Sequence, residues 1–291
     1  MTINQKIDQF KQFLSIQKQR SGHTISNYIT DIQQFFNVIN VKSVTQVNHS
    51  SVEIYLTHLH QRQLSSQSIY RKLVSLDQFW RFLQLKHGVD SNPWADVKRP
   101  KLTRNLPVFI EEKIVFELLQ NYPTSSAEDI RNKAILELLF ASGIRVSELT
   151  SLTQDSLNLD QNECRVLGKG SKHRIALFGD RAKLAIQQYI KEVRPRWASD
   201  SVPHLFISKQ GKKLTSRTVQ RVLKSANQFH SSPIEITPHA CRHTCASLLI
   251  INGANIRDVQ EFLGHQSIST TERYTHIPNA SLTKRFLNAI E

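Results

Sequence analysis

Residues 92–107 read NPWADVKRPKLTRNLP, and this stretch divides the chain. Its three prolines, Pro93, Pro100 and Pro107, fix φ and remove backbone donors, which interrupts any regular element. Lys98, Arg99, Lys101 and Arg104 crowd positive charge into the same segment. The stretch reads as an interdomain connector, with a helical domain over residues 1–97, a basic linker over 98–107 and a second domain over 108–291. A charge run of this kind is ordinarily a solvated face, but between two basic domains it is equally placed to meet phosphate. At 291 residues the chain is long enough for two separate cores.

On the N-terminal side the pattern is helical up to about residue 95, with four helices. Ile25, Tyr28, Ile32, Phe35, Phe36 and Ile39 recur at spacings of three and four, an apolar stripe on a helix beginning near Thr24. Another helix follows Ser65 and Ser66, whose hydroxyls suit a helix N-terminus. Ile69, Leu73, Leu76, Trp80 and Leu83 make its buried face, and Arg71, Lys72 and Arg81 are expected on the opposite one.

On the C-terminal side the pattern is mixed. Residues 127–143 form a helix with Ile130, Ala134, Ile135, Leu138 and Leu139 inward, stopped by Gly143, and Arg145 follows almost at once. Residues 157–177 alternate like a hairpin or three-stranded sheet, in which Gly168, Gly170 and Ser171 form the turn that presents Lys169. Helices resume at Asp180, apart from a short strand expected over 205–208 and closed by Gly211. The fold class is therefore mainly α with a small antiparallel β-sheet.

Composition narrows the function. No apolar run approaches the roughly 20 residues of a membrane span, so no membrane partner is expected. The opening MTINQKIDQFKQF has helical alternation rather than a secretory signal, which predicts a cytoplasmic protein. Three cysteines are too few for a disulfide framework and fit a reducing compartment. A net charge of +14 points to an anionic partner, because clustered Lys and Arg release counterions from a nucleic-acid backbone.

Four short segments carry the chemistry: LFASGIRVSEL (139–149), VLGKGSKHR (166–174), HACRH (239–243) and LGHQSISTTERYTH (263–276). Alone, an arginine after a glycine-capped helix reads as an ion-pair residue, and GKG as a turn. Together and in this order, the segments closely resemble the catalytic motifs of the tyrosine recombinases, the phage integrase family, in their Xer type as in bacterial XerC and XerD. The resemblance extends through LFISKQGKKLTSRTVQ (205–220) and NGANIRDVQEFLGHQSISTTERYTHI (252–277). In the N-terminal region it rests on helix pattern and on SGHTISNYITDIQQF (21–35).

The resemblance implies a two-domain clamp on duplex DNA, a helical core-binding (SAM-like) domain followed by a catalytic domain. Arg145 and Arg242 match the arginines that grip the scissile phosphate, where paired guanidinium donors neutralise charge in a pentacoordinate transition state. Tyr274 matches the nucleophile that attacks phosphorus, expels the 5′ hydroxyl and leaves a 3′-phosphotyrosyl bond. That bond conserves the phosphodiester energy, so no cofactor is expected. A free phenol has a pKa of about 10, and His239 matches the residue placed to take its proton. Lys169 matches the group that protonates the leaving oxygen, with Lys172 a competitor in the same turn. His265 matches a further phosphate donor, and Glu148 a supporting acid. Arg71, Lys72, Lys98, Arg99, Lys101, Arg104 and Lys172 are additional candidate DNA contacts.

The family's assembly implies a homo- or heterotetramer with a second Xer-type recombinase on two DNA sites, and control by an FtsK-type translocase in chromosome or plasmid dimer resolution during cell division. It also implies a C-terminal helix near 280–290 docking on a neighbour through Leu282, Phe286, Leu287 and Ile290, whose spacing equally fits packing within their own chain. A phage or mobile-element integrase, a relaxing topoisomerase and a catalytically silent DNA-binding protein are the competing readings. Tyr28, Tyr55, Tyr70, Tyr122 and Tyr189 are expected to pack. His239, Cys241, His243 and Cys245 alternate within seven residues, but on a helix residues two apart differ by about 200°, so only a strand or bend would converge them on a metal. No metal is expected. Cysteine at 241 and 245 departs from the larger apolar residues usual in the family.

Overall fold

The computed structural model describes residues 1–102, 109–168, 173–198 and 202–264. The chain separates into two compact units, Met1–Asn105 and Leu106–Glu291.

The first unit holds four helices: α1 (Ile3–Ile16), α2 (Gly22–Ile39), α3 (His49–Gln61) and α4 (Ser66–His87). Each begins on a side chain that accepts an otherwise unpaired backbone N–H: Thr2, Ser21, Asn48 and Ser65. Their apolar stripes meet around Phe35, whose ring lies edge-on to Tyr55 at 5.1 Å, Trp80 at 5.7 Å and Trp94 at 5.1 Å. Trp94 comes from the proline-rich stretch after α4 and is buried in this core. Tyr55 is buried too, and Tyr28 packs against the same cluster.

One expectation about α4 fails. Lys72 does not lie on the outward face but is buried, its ammonium donating to Asp31 at 3.1 Å and to Gln34. Arg71 and Ser75 also donate to the Asp31 carboxylate, Ser75 at 2.9 Å. A carboxylate buried on α2 needs cations within reach, and α4 supplies them from the adjacent Arg71 and Lys72, with the Ser75 hydroxyl one turn on. A second buried carboxylate, Asp77, gathers Arg81 (3.1 Å), Asn92 (2.8 Å) and Arg99 (2.9 Å).

The second unit contains α5 (Glu112–Asn121), α6 (Ala127–Ser142) and α7 (Val146–Ser151), then β1 (Leu157–Asn158), β2 (Glu163–Leu167) and β3 (His173–Leu177). α8 (Asp180–Gln188) runs through a π-helical turn at Tyr189–Val193 into α9 (Arg194–Trp197). α10 (Ser216–Ala226), α11 (Pro238–Ile251) and α12 (Ile256–Leu263) follow. α6 is the central post: from Ala134 to Phe140 every residue is buried, and α5, α8 and α11 pack around it. The strands form an antiparallel sheet in the order β1-β2-β3, with Cys164 opposite Ala176 and Val166 opposite Arg174.

The strand expected over 205–208 is not one. Only isolated bridges occur there, Thr153 to His204 and Ile207 to Lys213. The physical reason is Arg194, whose guanidinium donates to the carbonyls of Val202 (2.7 Å), His204 (2.8 Å) and Leu205 (3.2 Å). The Tyr189 hydroxyl adds a donor to Leu205 O and an acceptor for Ile207 N–H, both at 3.2 Å. Buried backbone is thus satisfied by side chains and by single backbone bonds such as Leu205 N–H to Leu152 O at 2.8 Å, instead of by a continuous neighbouring strand.

Replacing Asp31 with alanine leaves the Lys72 ammonium buried without its counter-charge. The expected cost is about 3 kcal/mol of unfolding free energy, read as a lower midpoint in a urea titration followed by helix circular dichroism; an unchanged midpoint would contradict this account.

Candidate active site

Arg145 is positioned by two local signals. Gly143 ends α6 in the left-handed region, at φ +57°, and α7 starts immediately after Arg145. A side chain at 143 would be strained and would also meet its surroundings: an added Cβ would lie 2.8 Å from Leu263 Cδ2 and 3.2 Å from Cys245 Sγ. Glu148, one turn into α7 and buried, reaches back so that its Oε2 accepts the Arg145 backbone N–H at 2.8 Å. Its Oε1 accepts from Arg145 Nη1, also at 2.8 Å.

Arg242 sits on α11, where Thr237 caps the helix by accepting from Ala240 N–H at 3.1 Å and Pro238 fills the first helical position. Its guanidinium is buried and donates to Gly143 O at 2.6 Å and to Leu263 O. His239 lies three residues earlier on the same face of α11 and is exposed. Cys241 and Cys245 on that helix point into the core, while His243 is half-buried, so the alternating histidines and cysteines part as the helical repeat requires.

A third arginine completes the cluster, one that sequence reasoning did not single out. Arg174 on β3 donates through Nη2 to Glu148 Oε2 at 2.8 Å and through Nη1 to Phe262 O at 3.0 Å. The final carbonyls of α12 are therefore each met by a different arginine: Phe262 by Arg174, Leu263 by Arg242, and Gly264 by Arg145 Nη2 at 3.2 Å. Helix C-termini leave carbonyls unpaired and carry partial negative charge, which makes this end a natural gathering point for cations.

The charge does not balance. Among the described residues, three guanidinium groups gather about one carboxylate, which leaves a formal +2 in a partly buried cluster. Burial first, and then the like charges of Arg145 and Arg174, lower the pKa of Arg242 to about 10 against the pull of Glu148. Burial likewise lowers that of Arg174, against the pull of Glu148. Arg145 is the most open of the three, with 38% of its side chain accessible. Such a site favours an anion with several oxygens, and phosphate fits that description.

The second unit matches the model of the phage integrase family over residues 109–280, and residues 7–87 match the family's N-terminal SAM-like domain. The chain belongs to the phage integrase family. The tyrosine recombinase XerC of Anoxybacillus flavithermus is 36% identical over 295 residues, covering 99% of this chain and 98% of that protein. Two solved structures share the fold: a lambda integrase dimer bound to a COC′ core site (TM-score 0.69, 16% identity, 96% of this chain and all of that one), and XerH site-specific recombinase bound to difH substrate in a pre-cleavage complex (TM-score 0.66, 19% identity, 89% and 77%).

Within this recombinase, the structure brings Arg145, Arg242 and Glu148 together and sets His239 one turn from Arg242. Lys169, Lys172, His265, Tyr274 and Arg104 lie outside the described residues, as do Leu282, Phe286, Leu287 and Ile290. Of the remaining basic candidates in the first unit, Lys98 and Lys101 are exposed, whereas Arg71, Lys72 and Arg99 hold buried carboxylates.

Because the charged form of Arg242 is disfavoured in the folded state, its folding penalty is fully present below pH 10 and is relieved only as pH rises above that value. A bound anion should offset it at neutral pH. Millimolar sulfate is expected to raise the melting temperature of the recombinase by several degrees more than that of Arg242→Gln, the variant controlling for general salting-out; equal shifts would argue against an anion site. Gly143→Ala should destabilise by about 1–3 kcal/mol through strain and the Leu263 contact, measured by chemical denaturation.

Proposed function

We propose that the protein cuts and rejoins DNA at a specific site through a covalent link to Tyr274, with Arg145, Arg242, His239, Lys169 and His265 as the groups that act on the scissile phosphate and Glu148 as their support. The observation that carries this reading is the convergence of the arginines on the last carbonyls of α12, directly before His265 and ten residues before Tyr274.

The chemistry follows from the residue types. The guanidinium groups of Arg145 and Arg242 hold the non-bridging oxygens and neutralise the charge that grows as phosphorus becomes pentacoordinate. The Tyr274 oxygen forms a bond to phosphorus as the bond to the 5′ oxygen breaks; the phenol proton passes to His239, and Lys169 supplies a proton to the departing oxygen. A 5′ hydroxyl from a second strand reverses each transfer and releases the enzyme. One phosphodiester is made for each one broken, so no energy source enters the balance.

Duplex DNA is the partner in this proposal, with protomers working in pairs or fours on two sites. The net charge of +14 and the DNA-bound dimer of the lambda integrase neighbour support that reading. The XerC naming of the relatives fits a role in resolving chromosome or plasmid dimers, and the proposal extends to action in the cytoplasm alongside a second Xer-type recombinase and an FtsK-type translocase. No helix among the described residues is long and apolar enough to cross a membrane.

The test is a nicked suicide duplex carrying the site to which the protein footprints on DNA from its own replicon. Wild type should yield a denaturation-resistant protein–DNA adduct and Tyr274→Phe none. Arg145→Gln and Arg242→Gln should each slow adduct formation by about a thousandfold while the protein still binds the site. An adduct undiminished in Tyr274→Phe would refute the assignment.

A further inference from the structure

Arg174 has no role in the mechanism above, yet it joins the acid that holds Arg145 to the end of α12. Its side chain is only 14% accessible. It binds Glu148 on one side and the end of α12 on the other, at 2.8 and 3.0 Å. Its stem lies against the backbone of Gly264, where an added Cβ would come within 2.9 Å of Arg174 Cδ and Nε. It is the second residue of β3, five positions after Lys169 in the sequence.

Its effect on Arg145 is electrostatic as well as geometric. Glu148 has two oxygens: Oε1 takes Arg145 Nη1, while Oε2 is shared between the Arg145 backbone N–H and Arg174 Nη2. A carboxylate facing a single guanidinium closes into a two-pronged pair with it. By occupying Oε2, Arg174 prevents that closure, so Arg145 keeps its Nη2 aimed at Gly264 O and retains donors for a phosphate. Without Arg174 the formal charge of the cluster would also fall from +2 to +1.

We infer that Arg174 is a positioning residue for strand cleavage: acting through Glu148 it orients Arg145, and acting through the Phe262 carbonyl and Gly264 it sets the end of α12 from which the chain runs to His265. This rests on the recombinase reading. Lysine in its place keeps the charge but lacks the planar fork that spans Glu148 and Phe262 together.

The experiment uses the full-length protein and the same nicked suicide duplex, at saturating protein, and reads the rate constant of adduct formation separately from its amplitude. Arg174→Lys and Arg174→Met should cleave about 10- to 100-fold and 100- to 1000-fold more slowly, with affinity for the duplex within about threefold for the lysine variant. A purely structural role would reduce the amplitude, because less protein is folded, and leave the rate constant of the remainder unchanged; that result overturns the inference. Combining Arg174→Lys with Glu148→Gln should lose less than the product of the two single losses, since they share the route through Arg145 while the α12 contact belongs to Arg174 alone; fully multiplicative losses would overturn it as well. If wild type forms no adduct, the recombinase reading falls and this inference with it. If wild type does and Arg174→Lys matches it, the inference alone is lost.

Discussion

The second unit is organised around one buried carboxylate. Glu148 holds the backbone and guanidinium of Arg145 and the guanidinium of Arg174, and those groups in turn fasten the end of α12. Three segments far apart in sequence, the α6–α7 junction, β3 and α12, are thereby brought to one point, with α11 joining through Arg242. An acid is required there because guanidinium groups this close repel one another, and solvent is too scarce to screen them. One acid for three bases leaves the excess positive charge that makes the place useful.

The first unit uses the same device for a different end. Asp31 and Asp77 each draw cations from elsewhere in the chain, and Asp77 also secures Asn92 and Arg99 beyond α4. Together with Trp94 in the aromatic core, these contacts fold the first half of the proline-rich stretch onto the helices. In a chain of net charge +14, the buried acids among the described residues, Asp31, Asp77, Glu137 and Glu148, thus each act as a fastener for arginine or lysine.

Much of this was legible in the sequence, and the exceptions have physical causes. Helix stripes and caps were readable because each rests on a local period or a hydroxyl beside its start, as at Ser65 and Gly143. The pair of Arg145 and Glu148 was readable because its members are three residues apart in sequence. Lys72 was misplaced because periodicity assigns charge to the outside and cannot see Asp31, forty-one residues away. Arg174 was missed for a sharper reason. In HRIAL the apolar residues Ile175 and Leu177 suggest the inward phase, but the register places Arg174 and Ala176 on the buried face and leaves Ile175 exposed. Only the pairing of Arg174 with Glu148 makes that phase affordable. The supposed strand at 205–208 failed similarly, since nothing local announces that Arg194 will satisfy its carbonyls.

Cys245, whose sulfur lies against Gly143 beneath Arg242, gives the recombinase an unexpected chemical resilience. Like Cys164 and Cys241 it is fully enclosed, and burial raises its pKa to about 12, so it stays a protonated thiol. Peroxides and electrophiles attack the thiolate. Nearby guanidinium charge, ordinarily the setting that sharpens a cysteine's reactivity, is here outweighed by burial, which keeps the sulfur in its less reactive protonated form.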